Sequence, residues 1–195
     1  MATKTIESRR WMQGASSPLR GALLGLVLEQ PGHGGELASR LARRLGHPWR
    51  IDPTDIYRLL ARLEDEGLLC SSEEPTPGSQ RATRVVYHVT EETSEALTLW
   101  LETLVPREPM RSTLHAKLAA AQGVNDARLL LRALEAHERE CLELAQLVPP
   151  MTSGAASLRT LLLDCVRSGV WTQLQAEIDW SRQSRERISE YLNAT

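Results

Sequence analysis

A chain of 195 residues with 42% hydrophobic and 25% charged side chains suits one domain, or two small ones sharing a core, and its composition is that of an ordinary globular protein, neither disordered nor membrane-embedded. The formal net charge of −2 excludes nucleic-acid affinity by bulk charge, so any such affinity must come from local segregation. The three cysteines, Cys70, Cys141 and Cys165, form no Cys-x-x-Cys pair and suit a reducing cytoplasm better than a disulfide framework.

Residues 1–17 hold Lys4, Arg9 and Arg10 against Glu7 and read as a basic arm, which Arg20 extends. "SRRWM" followed by "GALLGLVL" faintly resembles an export signal, but the apolar run is short and ends in "EQPG" with no small-residue cleavage site, so export is not expected. No segment has the length of a membrane span. A first helix is expected from Pro18, whose missing N–H costs nothing in a first turn, through Leu19, Leu23, Leu26 and Val27 to about Glu29. "QPGHGG" breaks it. A second helix follows over Gly34–Leu45, with Leu37, Leu41 and Leu45 on one side, Arg40 and Arg43 roughly opposite and Arg44 on the flank. "GHPWRID" ends that helix in turn.

The third helix, "DPTDIYRLLARLEDEGLL", has Asp52 as N-cap, Pro53 in its first turn and Gly67 as its C-terminal stop. Ile56, Leu59, Leu60 and Leu63 form one buried stripe; Thr54, Arg58, Ala61 and Asp65 face outward, flanked by Tyr57 and Arg62. Strands are expected at 68–73 and 84–90, with a polar tip, "EPTPGSQRAT", that carries Arg81 beside Arg84. A fourth helix, capped by the Thr90 hydroxyl, runs through Leu97, Trp100, Leu101 and Leu104.

Three helices and a two-stranded hairpin, in this order, are the elements of a winged helix-turn-helix over residues 18–104, in which the third helix enters the DNA major groove and the hairpin tip touches the backbone or minor groove. Within residues 31–90 the eight arginines, Arg40, Arg43, Arg44, Arg50, Arg58, Arg62, Arg81 and Arg84, are matched by eight carboxylates. Phosphate affinity therefore depends on aligning the arginines of the second helix, the third helix and the wing on one side. The candidate DNA-binding residues are Thr54, Tyr57, Arg58, Arg62, Arg40, Arg43, Arg44, Arg81 and Arg84.

From 105 to 195 the pattern is helical. After a "PREP" linker comes a short helix, "TLHAKLAAAQG", and then a long one capped by Asn125 or Asp126 and reaching Val148. Its seam is Leu130, Leu134, His137, Cys141, Leu144 and Val148, spaced alternately four and three. "PPMTSGAAS" turns the chain into a last helix with a second seam of Trp171, Leu174, Ile178, Ser181, Arg185, Ile188 and Leu192. Two antiparallel seamed helices cannot bury both their sides alone, so residues 105–195 read as a coiled-coil-like homodimerisation arm, and the whole chain as mainly α.

"PGHGGELASRL", "IDPTDIYRLLARLEDEGLL" and "VVYHVTEETSEAL" resemble the PadR family of bacterial transcription regulators, in its longer subgroup with a C-terminal helical dimerisation domain. In the third helix Pro53, Tyr57, Leu60, Leu63, Glu64, Gly67 and Leu68 fall in register with the family pattern. Gly35 departs from it, standing where tyrosine is usual, as does Thr93, where glycine is usual. The resemblance implies a cytoplasmic dimeric regulator, often a repressor of an inverted-repeat operator released by a small molecule, and no enzyme. Trp100, Trp171 and Trp180 are the candidate walls for a planar hydrophobic effector, with core packing as the alternative. Other readings are a multidrug-type sensor dominated by its cleft, or a winged-helix adaptor without groove-facing arginines. His137 and Cys141 stand one turn apart and Cys165 lies on the next helix, but seam positions explain them without a metal, and no cofactor is expected.

Overall fold

The computed structural model describes residues 18–46, 52–75, 82–105, 112–152, 154 and 156–194. The basic arm, the "HPWRI" break, the wing tip with Arg81 and the "PREP" linker lie outside the described residues. The described residues form two compact units, one over residues 18–44 and 52–105 and one from residue 112 onward. Among the described residues no helix is long and apolar enough to cross a membrane.

The first unit contains α1 (Pro18–Glu29), β1 (Gly32–His33), α2 (Gly34–Leu45), α3 (Pro53–Asp65), β2 (Leu69–Pro75), β3 (Thr83–Val89) and α4 (Thr93–Glu102). Helices α1 and α2 have the bounds their sequence signals set. The sheet has three strands, not the two of a plain hairpin: β3 is central, antiparallel to β2 on one side and to the short β1 on the other. Two residues, Gly32 and His33, pair with Tyr87 and Val86. So brief a strand inside a glycine-rich break has no periodicity to announce it.

Leu23, Leu24, Leu26, Val27, Leu37, Leu41, Ile56, Leu60 and Leu63 are all buried and form the core of this unit. Arg20 is buried with them. Its guanidinium donates from Nη1 to Oε1 of Glu66 at 2.9 Å and from Nη2 to Oε2, a forked pair that joins α1 to the end of α3. Arg20 is thus an interior residue and no part of a basic arm.

The start of α4 also differs from expectation. Thr90 does not cap it. Instead the fully buried Thr93 hydroxyl accepts from the Thr90 N–H at 2.8 Å and donates to the Leu68 carbonyl at 2.7 Å, while the Thr90 hydroxyl donates to the Gly67 carbonyl. A glycine at 93 would leave that N–H and that carbonyl without this bridge, so the departure from the family pattern is used structurally. Trp100, half-buried, lies across α1, where a β-carbon on Gly21 would come within 2.1 Å of the indole. It therefore packs against α1 within this unit.

The second unit contains α5 (Thr113–Ala120), α6 (Val124–Gln146) and α7 (Leu158–Ala194). Neither Asn125 nor Asp126 is the N-cap of α6. Gly123 holds that position, and the Asp126 carboxylate reaches back to accept from the Gln122 N–H at 3.0 Å. Helices α6 and α7 run antiparallel, since Glu138 bonds Arg182 and Arg185 while Cys141 and Ala145 pack with Leu174 and Ile178. The expected seams are only partly the buried ones. Leu130, Leu134, Cys141, Leu174, Ile178 and Ser181 are buried; His137, Leu144, Val148, Arg185, Ile188 and Leu192 are half-buried, and Trp171 is exposed. Glu138, outside the expected seam, is buried because two guanidiniums compensate its charge.

Candidate nucleic-acid interface

Helix α3 owes its placement to its two ends. At the start, the Asp52 carboxylate accepts from the Thr54 N–H at 2.7 Å, and the hydrogen bonds from Thr54 hold its pKa below the usual carboxylate value. At the close, Gly67 (φ +72°) takes the left-handed conformation that side chains disfavour. Its N–H donates to the Glu64 carbonyl and that of Leu68 to the Leu63 carbonyl, with both leucines buried: a Schellman stop. Between these ends Ile56, Leu60 and Leu63 are fully buried and Leu59 is half-buried.

The opposite face is open. Thr54, Tyr57, Arg58, Ala61, Arg62 and Asp65 are exposed. Arg58, 69% exposed, pairs with Asp55 one turn back. An exposed pair of this kind is worth under about 1 kcal/mol and gives way to a stronger anion. Tyr57 is half-exposed, and its ring lies over Gly34 at the start of α2, where a β-carbon would come within 2.3 Å. The departure at Gly35 leaves space beside the same ring, since a β-carbon there would stand 3.5 Å from the Tyr57 hydroxyl. Tyr57 therefore serves two purposes: it locks α2 to α3 and presents its hydroxyl edge outward.

The arginines of α2 separate into two groups. Arg43 is exposed at the helix end. Arg40 does not face outward as its position opposite the leucines suggests. Its guanidinium donates to the carbonyls of Leu26 and Gln30 at 2.9 and 2.8 Å and lies 3.5 Å from Glu29, so it closes the C-terminus of α1. Arg44 also pairs with Glu29, and partial burial lowers its pKa. Long side chains can bend back from their nominal helix face, and the orphan carbonyls of α1 supply the reason here. On the wing, Arg84 is half-buried opposite Glu74 in the ladder, and Glu74 also lies 3.5 Å from His88. Arg43, Arg58 and Arg62 are the exposed cations of the expected set among the described residues.

The tryptophans of the second unit do not form one wall. Trp171 and Trp180 are nine residues apart on α7, about 13 Å of rise and half a turn. Trp180 stacks on His115 at a ring distance of 4.3 Å and meets His137 edge-on. Trp171 lines a pocket of about 430 Å³ with Val148, Pro149, Pro150, Met151 and Arg167. Arg167 donates to Asp164 at 2.8 Å beside it.

Cys70 and Cys165 are exposed, whereas Cys141 is buried between α6 and α7 with its thiol pKa pushed up to about 11 by burial and by Glu177. Alkylation of the folded chain near pH 8 should therefore modify Cys70 and Cys165 within minutes and spare Cys141, because the thiolate is the reacting species. Peptide mass mapping reads the result, and equal labelling of all three would contradict this burial.

Residues 23–98 match the transcriptional regulator PadR-like family. In three dimensions the chain is similar to Bacillus subtilis PadR in complex with operator DNA, at 19% identity and a TM-score of 0.69, covering 88% of this chain and 99% of that one. It is similar to the Vibrio cholerae virulence activator AphA at 17% identity and a TM-score of 0.70, covering 89% and 99%. Bacillus subtilis PadR in complex with p-coumaric acid aligns at 20% identity and a TM-score of 0.61, covering 88% and 98%. No curated protein matches the chain in sequence. The fold is a winged helix-turn-helix with a C-terminal helical arm, and residues 23–98 match a family of transcriptional regulators.

Proposed function

We propose that this chain, whose residues 23–98 form a PadR-like transcriptional regulator domain, acts in the cytoplasm as a homodimeric repressor that reads an inverted-repeat operator with α3 and is released by a small aromatic compound. The observation that carries this reading is the two-sidedness of α3. One face is sealed by Ile56, Leu60 and Leu63, and the other offers Tyr57, Arg58 and Arg62 to solvent. Arginine is the side chain best suited to guanine edges and phosphates, and a helix exposed on one long face is what the major groove admits. Bacillus subtilis PadR bound to operator DNA supports the assignment by its similarity of fold.

The effector reading rests on the Trp171 pocket alone. An indole wall and the Arg167 cation suit a planar aromatic acid, and p-coumaric acid is bound by Bacillus subtilis PadR. Trp180 is taken up by its histidine neighbours, and Trp100 by Gly21.

Fluorescence anisotropy on a duplex selected from random sequence tests the DNA reading. If six or more phosphates are neutralised, affinity falls about a thousandfold or more between about 50 and 200 mM salt. Arg58→Ala and Arg62→Ala should each cost roughly 1–3 kcal/mol of specific binding while circular dichroism stays unchanged. Tyr57→Ala should cost as much in binding and also loosen the domain, because its ring covers Gly34. A flat salt response with wild-type binding by both arginine variants points to a protein-interaction adaptor instead.

A further inference from the structure

Helices α6 and α7 bring together three side chains that the DNA-reading face does not use. His137 and Cys141 project from the same face of α6, one turn apart, and Glu177 meets them from α7. The His137 Nε2 lies 3.1 Å from Glu177 Oε2 and 3.7 Å from Cys141 Sγ, and Sγ lies 3.6 Å from the same carboxylate oxygen. Zinc bound tetrahedrally, with nitrogen and oxygen near 2.0–2.2 Å and sulfur near 2.3 Å, holds such donors roughly 3.4–3.6 Å apart. The three distances therefore match the edges of one face of a zinc tetrahedron to within a few tenths of an ångström. Cys165, the other cysteine on α7, lies twelve residues from Glu177, about 18 Å along the helix.

We propose that His137, Cys141 and Glu177 form a binding site for zinc or a similar thiophilic divalent cation, clamping α6 to α7, with water completing the coordination. One imidazole, one thiolate and one carboxylate are a donor set of intermediate softness, suited to zinc, cobalt(II) or cadmium and poor for magnesium or calcium. The surroundings support it. Gln173 donates to the other oxygen of Glu177 at 3.4 Å and so orients the carboxylate, as supporting residues of metal ligands do. Glu138, the neighbouring buried carboxylate, is already engaged by Arg182 and Arg185 and does not compete. His137 and Glu177 are partly exposed, at 29% and 40%, and leave a route for the ion. On binding, the Cys141 S–H gives its proton to solvent and the thiolate takes the metal, with no change of oxidation state.

The test uses the full-length chain, freed of metal with a chelator and titrated with cobalt(II). The expected result is tetrahedral cobalt absorption with a thiolate-to-metal charge-transfer band saturating near about one ion per chain. Zinc should displace it, with a change in tryptophan emission because Trp180 packs on His137. Cys141→Ser should remove the charge-transfer band, and Glu177→Gln, at a partly exposed position that leaves the fold intact, should weaken binding at least about tenfold. Three results overturn the proposal: no charge-transfer band in the wild type, a band that persists in Cys141→Ser, or wild-type affinity in Glu177→Gln. Should Cys141→Ser fail to fold, Glu177→Gln decides alone.

Discussion

Replacing Glu66 by alanine is expected to lower the unfolding free energy by about 3 kcal/mol or more, among the largest losses from any single substitution in the first unit. Arg20 is only 1% exposed and lies among the α1 leucines, where an ion without compensation is several kcal/mol out of place. Both oxygens of Glu66 meet its guanidinium, a forked geometry that satisfies charge and hydrogen bonding at once. Removing the carboxylate takes both of these hydrogen bonds from a buried cation that cannot lose its proton. The Glu66 side chain is about a third exposed, so water can enter from that side, and the lower end of the 3–5 kcal/mol range for broken buried pairs applies. Urea unfolding followed by circular dichroism measures the loss. The double variant Arg20→Met, Glu66→Ala should recover most of it, because an apolar side chain suits the same space without a charge. A Glu66→Ala chain as stable as the wild type would mean that the pair contributes no stability. The consequence reaches the helix proposed to read DNA, since Glu66 is the C-cap residue of α3 and the pair fixes where that helix ends against α1.

What the sequence made legible, and what it hid, follows from the range of the interactions. Helices α1 and α2 begin and end where Pro18, the "QPG" break and the leucine spacing set them, and α3 runs from its Asp52 cap to its Gly67 stop. Each of these signals acts within one or two turns, so the local chain contains the whole cause. The charged interior is different. Arg20 is buried because of Glu66, forty-six residues away, and Arg40 folds back because α1 ends beside it with carbonyls to satisfy. Glu138 likewise owes its burial to Arg182 and Arg185 on another helix. Helical periodicity places a side chain on a face; it does not say whether a long cation stays there. The same limit applies to the candidate metal ligands. The turn between His137 and Cys141 is visible in the sequence, but the register of α6 against α7 that delivers Glu177 is not. At the start of α4, two threonines three residues apart offer equivalent hydroxyls, and only the position of the Leu68 carbonyl selects Thr93 over Thr90.

The arm should govern affinity more than any single base contact. With Glu138 against Arg182 and Arg185, and Cys141 and Ala145 packed with Leu174 and Ile178, the N-terminal part of α7 runs about fifteen residues, about 22 Å, past the end of α6. That overhang carries Leu158, Leu161, Leu162 and Cys165 at i, i+3, i+4 and i+7, all exposed, an apolar stripe on a helix face. In the proposed homodimer a second copy of the chain covers it, because the same stripe on two chains is self-complementary under a two-fold axis. Under the proposed function, two linked copies of α3 would then read half-sites centred about 10 bp, or a multiple of one turn, apart. Deleting residues 150–195 removes α7, exposes the buried Leu134, Cys141 and Ala145 of α6, and should yield monomers or aggregates. The sharper variant is Leu161→Asp with Leu162→Asp, which alters only the exposed stripe and leaves the α6–α7 packing untouched. Sedimentation velocity should show this variant as a folded monomer. Its affinity for a two-half-site duplex should fall by about 10²–10⁴, the gain that linkage of two contacts provides, while binding to a single half-site stays the same. A double variant that remains dimeric and keeps its full affinity would show that the stripe serves another partner and that the two recognition helices are held together elsewhere.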